Sequence, residues 1–101
     1  METKIEEKDG KIVVILDGEM DTAAAIEAEK NLQPLFQNNQ KDVVIDCEKL
    51  EYIASSGLRI LLQILKAAKA GGSNVTLKRV NEDIKSVLKM TGFVELFNFE
   101  D

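Results

Sequence analysis

The stretch from Ser56 to Ala70 constrains this chain more than any other. Beyond its opening serine and glycine, only Arg59, Gln63, Lys66 and Lys69 are clearly polar. Leu58, Leu61, Leu62, Leu65 and Ala68 make one stripe at helical spacing, and Ile60, Ile64 and Ala67 make a second beside it. Gly71-Gly72 is a normal stop signal. A helix this apolar must either lie between neighbours or offer part of its side to a partner. In both cases it needs a layer to lie on, and strand-like runs flank it in sequence.

The chain in order supplies that layer. Lys4 to Glu7 and Lys11 to Leu16 read as a hairpin, because Asp9-Gly10 suits the positive-φ pair of a type I′ turn. The first arm is weakly apolar and predicts an edge strand; the continuous β-branched run Ile12 to Leu16 predicts a central one. Asp17 to Thr22 breaks the run. Asp21 or Thr22 then caps a helix through about Phe36, with Ala25, Ala28, Leu32 and Leu35 on one face and a kink or stop expected at Pro34. Asn38 to Lys41 reads as a polar loop, Asp42 to Asp46 as a short buried strand, and Glu48 to Ile53 as the link to the serines.

After the long helix, Asn74 to Arg79 alternates as a strand. Asn81 caps a last helix whose first turn carries Glu82 and Asp83, matching the helix dipole. Ile84, Val87 and Leu88 face inward, Thr91-Gly92 ends the helix, and the apolar tail Phe93 to Phe99 folds back on the core. The order β-β-α-β-α-β-α predicts an α/β fold with a mixed sheet of about four to five strands, later strands parallel, and helices mainly on one face. Loops at the carboxyl ends of such strands carry binding sites, which singles out the serine turn and the Gly18 to Thr22 loop.

Composition narrows the function. With 101 residues and 45% hydrophobic content the chain fits one domain, residues 1–101, that needs no metal or disulfide staple. The single cysteine, Cys47, follows an apolar strand and reads as a small buried side chain in a reducing, cytoplasmic setting. A net charge of −5 argues against direct nucleic-acid binding and against an anionic membrane surface. No apolar run approaches the ~18 residues of a membrane span. Without histidine, no Ser-His-Asp or Cys-His arrangement can form, and one cysteine cannot build a Cys/His zinc site. No phosphate-cradling glycine motif appears. The chain therefore reads as a protein-binding module rather than an enzyme, with no cofactor and no metal.

Ser55-Ser56-Gly57 remains to be explained. The plain reading is that one serine is an N-cap, accepting from the first free helical N–H groups. The sharper reading is that one serine is modified or meets a ligand in the positive field of the helix start.

Over essentially its whole length the chain resembles the STAS family, the bacterial anti-sigma-factor antagonists. The resemblance is carried by Gly18-Glu19-Met20-Asp21, then Ser55-Ser56-Gly57-Leu58, then Met90-Thr91-Gly92-Phe93, in that order. It implies a STAS-like domain in which Ser56, before the glycine, is the phosphoacceptor of an anti-sigma factor that is itself a serine kinase. It further implies that the unmodified form sequesters that anti-sigma factor, that phosphorylation releases it, that a phosphatase resets the cycle, and that Asp21 supports recognition or phosphorylation. The partner surface expected is Asp21, Thr22, Ser55, Ser56, Gly57, Arg59, Ile60 and Gln63, on a protein that is monomeric when free. Family members carry an acid two residues before the phosphoserine, where this chain has Ala54.

Two other readings compete. One is a STAS subunit of a lipid ABC transporter, docking without phosphorylation. The other is a receiver domain phosphorylated on aspartate, with Asp46 at the end of a buried strand; against it stand the missing acidic cluster and the absence of a Lys-Pro step after Leu77.

Overall fold

A computed structural model describes residues 1–37 and 41–101, so the loop expected at 38–41 lies, except for Lys41, outside the described residues. The chain opens on the expected hairpin. β1 (Glu2–Lys8) and β2 (Lys11–Met20) pair antiparallel. Asp9 and Gly10 join them at φ values of 54° and 76°, the two positive angles a type I′ turn requires. There follow α1 (Thr22–Asn31), β3 (Val43–Ile53), α2 (Ser55–Ala70), β4 (Val75–Lys78), α3 (Glu82–Met90) and β5 (Asn98–Glu100), with 3-10 turns at Gln33–Phe36 and Phe93–Glu95.

The strands lie in the sheet in chain order, and β2 to β5 run parallel. Every crossover steps to the next strand in the same direction, so right-handed connections place all three helices on one face. Val14, Leu16, Val43, Ile45, Cys47 and Leu77 alternate onto that face and are buried beneath the helices. α2 lies at the centre of the helical layer, packed against α1, the 33–36 turn, β3 and β4. Both of its apolar stripes are occupied, since Leu58, Leu61 and Ile64 are buried and so are Ile60 and Ala67. Of the two fates open to so apolar a helix, this one lies between neighbours.

Four expectations change. β2 does not break at Asp17 but continues to Met20, paired with β3 across two register irregularities, with Gly18 at φ 115° inside them. Bulges of this kind let a strand carry polar residues past its regular alternation. β3 likewise runs past Asp46 to Ile53; its later buried residues Cys47, Leu50 and Ile53 fall every third position, which hides the strand from a period-two reading. α1 stops at Asn31, three residues before Pro34, and the chain tightens into the 3-10 turn that keeps Leu32 and Leu35 buried. The apolar tail returns to the core as expected, but as a fifth strand parallel to β4, with Phe97 buried.

Candidate functional site

The site is assembled where β2 and β3 end. Met20 and Ile53 are register partners there, and the Ala54 N–H donates to the Met20 carbonyl at 2.8 Å. One residue further on, each chain turns into a helix, so the N-termini of α1 and α2 begin on neighbouring strands. Asp21 caps α1, its Oδ1 accepting from the Ala24 N–H at 2.8 Å. Thr22, the first residue of α1, is exposed beside it.

Neither serine caps α2. The N-cap is Ala54, in the extended conformation at φ −83° and ψ 168°, and it has no side-chain acceptor to offer. Its carbonyl accepts from Gly57 and Leu58, at 2.9 and 3.0 Å. α3, by contrast, is capped by Asn81, which accepts from Ile84 at 2.8 Å. α2, the most apolar helix, is therefore the one whose start lacks a side-chain cap. The serines occupy its first two positions: Ser55 is exposed, whereas Ser56 is half-buried with Oγ enclosed and without a hydrogen-bond partner. An enclosed hydroxyl left unpaired costs roughly 1–3 kcal/mol, so the present rotamer is held against a penalty.

Gly57 explains how the serines are held in place. A Cβ there would stand 2.6 Å from Met20 Sδ and 2.7 Å from Ile53 Cγ1. Only the absence of a side chain lets the first turn of α2 sit on the ends of β2 and β3. Arg59 and Gln63 project from the exposed side of α2. Ile60 does not: at 3% exposure it belongs to the core, because the apolar stripes of α2 point inward, and it offers no side chain to a visitor.

Tyr52, not among the partner-surface residues expected from the sequence, is 51% exposed directly before the turn. With Ile53, Ile84 and Val87 it lines a groove of about 120 Å³ between β3 and α3, rimmed by Glu51 and Asp83. An aromatic ring two residues before a helix cap was the available signal. Asp46 lies within β3 rather than at its end, its Oδ1 accepting from the Glu48 N–H at 3.0 Å, away from the mouth where α1 and α2 begin. Cys47 is 1% exposed, its thiol donating to the Ile45 carbonyl, and burial together with the Asp46 charge pushes its pKa up to about 12. No group of three metal-ligating side chains occurs among the described residues, and no helix there is long and apolar enough to cross a membrane.

The chain and its fold find counterparts in known proteins. A family model described as STAS domain matches residues 2–101. A Bordetella bronchiseptica protein described as a candidate anti-sigma factor antagonist, BtrV, is 27% identical over 96% of this chain and 84% of its own length. The anti-sigma-B factor antagonist of Staphylococcus aureus is 26% identical over 87% of this chain and 82% of its own. Among solved structures, the Bacillus cell fate determinant SpoIIAA in its phosphorylated form has the same fold, with a TM-score of 0.74 at 19% identity, covering 97% of this chain and 90% of that one.

Proposed function

Since this chain belongs to the STAS domain family, we propose that it is an anti-sigma-factor antagonist switched by phosphorylation of Ser56. The observation that carries the reading is the mouth of α2: a serine at its second position, no side chain capping its N–H groups, and Asp21 at the start of the adjacent helix. In the unmodified state the anti-sigma factor rests on the exposed side chains around this mouth, those of Asp21, Thr22, Ser55, Arg59 and Gln63, which surround the half-buried Ser56. Gly57 sets their height above the sheet, and Ile60 supports them from beneath.

The modifying chemistry belongs to the partner, an ATP-dependent serine kinase. Ser56 Oγ attacks the γ-phosphorus of ATP; the new O–P bond forms as the bond to the β-phosphate oxygen breaks, ADP leaves, and the hydroxyl proton passes to a base at the joined site. Ser56 supports this role because its hydroxyl gains hydrogen bonds by turning outward rather than losing them. A phosphatase restores the serine by hydrolysis: water attacks the phosphorus, the bond to Ser56 Oγ breaks, Oγ regains a proton and inorganic phosphate leaves.

The product adds about −1.5 to −2 charges at pH 7. Within the domain that charge is tolerated, because the uncapped N–H groups and the helix dipole welcome an anion. Beneath a docked protein it is desolvated without a partner, at a cost of several kcal/mol. The switch is therefore local and needs no refolding.

The test is fragment mapping by mass spectrometry after incubation with ATP and the cognate anti-sigma kinase. One phosphoryl group on Ser56 is expected, absent from Ser56→Ala. A phosphoryl group on Ser55, or none, would overturn the assignment.

A further inference from the structure

The face of the sheet opposite the helices is uncovered among the described residues, whereas all-parallel sheets are covered on both sides and four of these five strands run parallel. The centre of this face is not polar. Val13, Ile15, Val44 and Thr76 stand on it half-buried, with Val13, Val44 and Thr76 adjacent by register. Shallow concavities of about 420 and 120 Å³ run along it.

Its two ends carry like-charge pairs of opposite sign. At the hairpin end Lys8 stands directly opposite Lys11, and at the far end Glu2 stands directly opposite Asp17. Like charges opposed across a sheet destabilise it. None of the four has an ion-pair partner among the described residues. The other charges on the face are better balanced. Asp46, Lys78 and Glu100 follow one another by register, Lys49 pairs in register with Asp17, and Asp9 sits in the turn beside the two hairpin lysines.

We propose that a second copy of this chain covers the face. A half-turn about an axis running across the strands lays the Lys8–Lys11 end of one copy on the Glu2–Asp17 end of the other, at both ends at once. The same rotation sets Lys4 over Glu6, Val13 over Ile15, Val44 over Asp46, and Thr76 and Asn98 over Lys78 and Glu100, allowing for the ~30° between stacked sheets. Two like-charge pairs that repel in one copy become two attractive contacts between copies. The face is nearly neutral on a chain of net charge −5, so it is also where mutual repulsion of two copies is least. Strand spacings give it an area on the order of 400 Å² per copy. That is at the low end for specific interfaces, so the dimer is weak, sensitive to salt, and dissociated when dilute. It leaves α2 and the serine turn free, and it does not depend on the phosphorylation reading.

Sedimentation equilibrium across protein concentration at low salt tests this. The unaltered chain is expected to self-associate, whereas Lys8→Glu/Lys11→Glu and Glu2→Lys/Asp17→Lys, each with an unchanged melting temperature to within a few degrees, stay monomeric. Mixed together, the two variants restore association, by about tenfold or more over either alone, because each now meets its opposite. Adding Val13→Lys to one of them abolishes the mixed dimer, which general attraction between differently charged chains does not explain. A monomeric unaltered chain at every concentration, variants that associate like it, or a mixture that stays monomeric overturns the proposal.

Discussion

At the scale of single residues, the arrangement depends on what is absent from position 57. Gly57 has no Cβ because Met20 and Ile53 occupy the space where one would go. Gly57→Ala must push the first turn of α2 off the sheet or displace those core side chains, and is expected to cost about 1–3 kcal/mol in urea unfolding. A loss below a few tenths would mean that the turn is not clamped there. Cys47 tests burial in a different way. Its thiol holds its proton to about pH 12 in the folded chain, while the unfolded thiol ionises near its ordinary value of 9.0. The folded pKa being the higher, this contribution to stability is complete below pH 9 and is lost as pH rises from there toward 12. A thiol reagent at pH 8 should accordingly label the native protein only as fast as it opens, and the unfolded protein at once. Rapid labelling of the native form would contradict the burial.

At the scale of elements, capping distinguishes the helices. α1 and α3 are held at their starts by Asp21 and Asn81, but α2 has Ala54 in an extended conformation already suited to a cap. Ala54→Ser should therefore stabilise the domain by about 0.5–2 kcal/mol, read as a higher urea midpoint at constant slope. Asn81→Ala should lose a similar amount, since Asn81 also donates from Nδ2 to the Leu50 carbonyl at 3.1 Å. No gain from the first substitution would show that the start of α2 is already satisfied. Elements with regular periodicity were legible in the sequence: the hairpin from Asp9-Gly10, α2 from its stripes, α3 from Asn81 and its acidic first turn. What escaped was irregular. The ends of β2 and β3 carry bulges and three-residue burial spacing that no period-two rule detects, and β5 is three residues whose strand character comes only from β4 beside it.

At the scale of the whole molecule, parallel strands in chain order bring two helix starts to one end of the sheet and leave the face opposite the helices uncovered among the described residues. The serine turn was legible as a candidate site because a strand, small residues and a helix in succession place hydroxyls at a sheet's edge. Which residues flank it was less legible. Tyr52 proved exposed and Ile60 buried, and both outcomes were decided by packing between elements far apart in sequence. On the proposed switch, a negative charge at Ser56 is acceptable to the free domain and unacceptable to the complex. Titration calorimetry of Ser56→Ala and Ser56→Asp against the cognate anti-sigma factor measures this directly. The alanine variant is expected to bind like the unaltered chain and the aspartate variant at least about tenfold more weakly, a difference of ~1.4 kcal/mol, with both variants equally folded. Equal affinities for the two variants would contradict it.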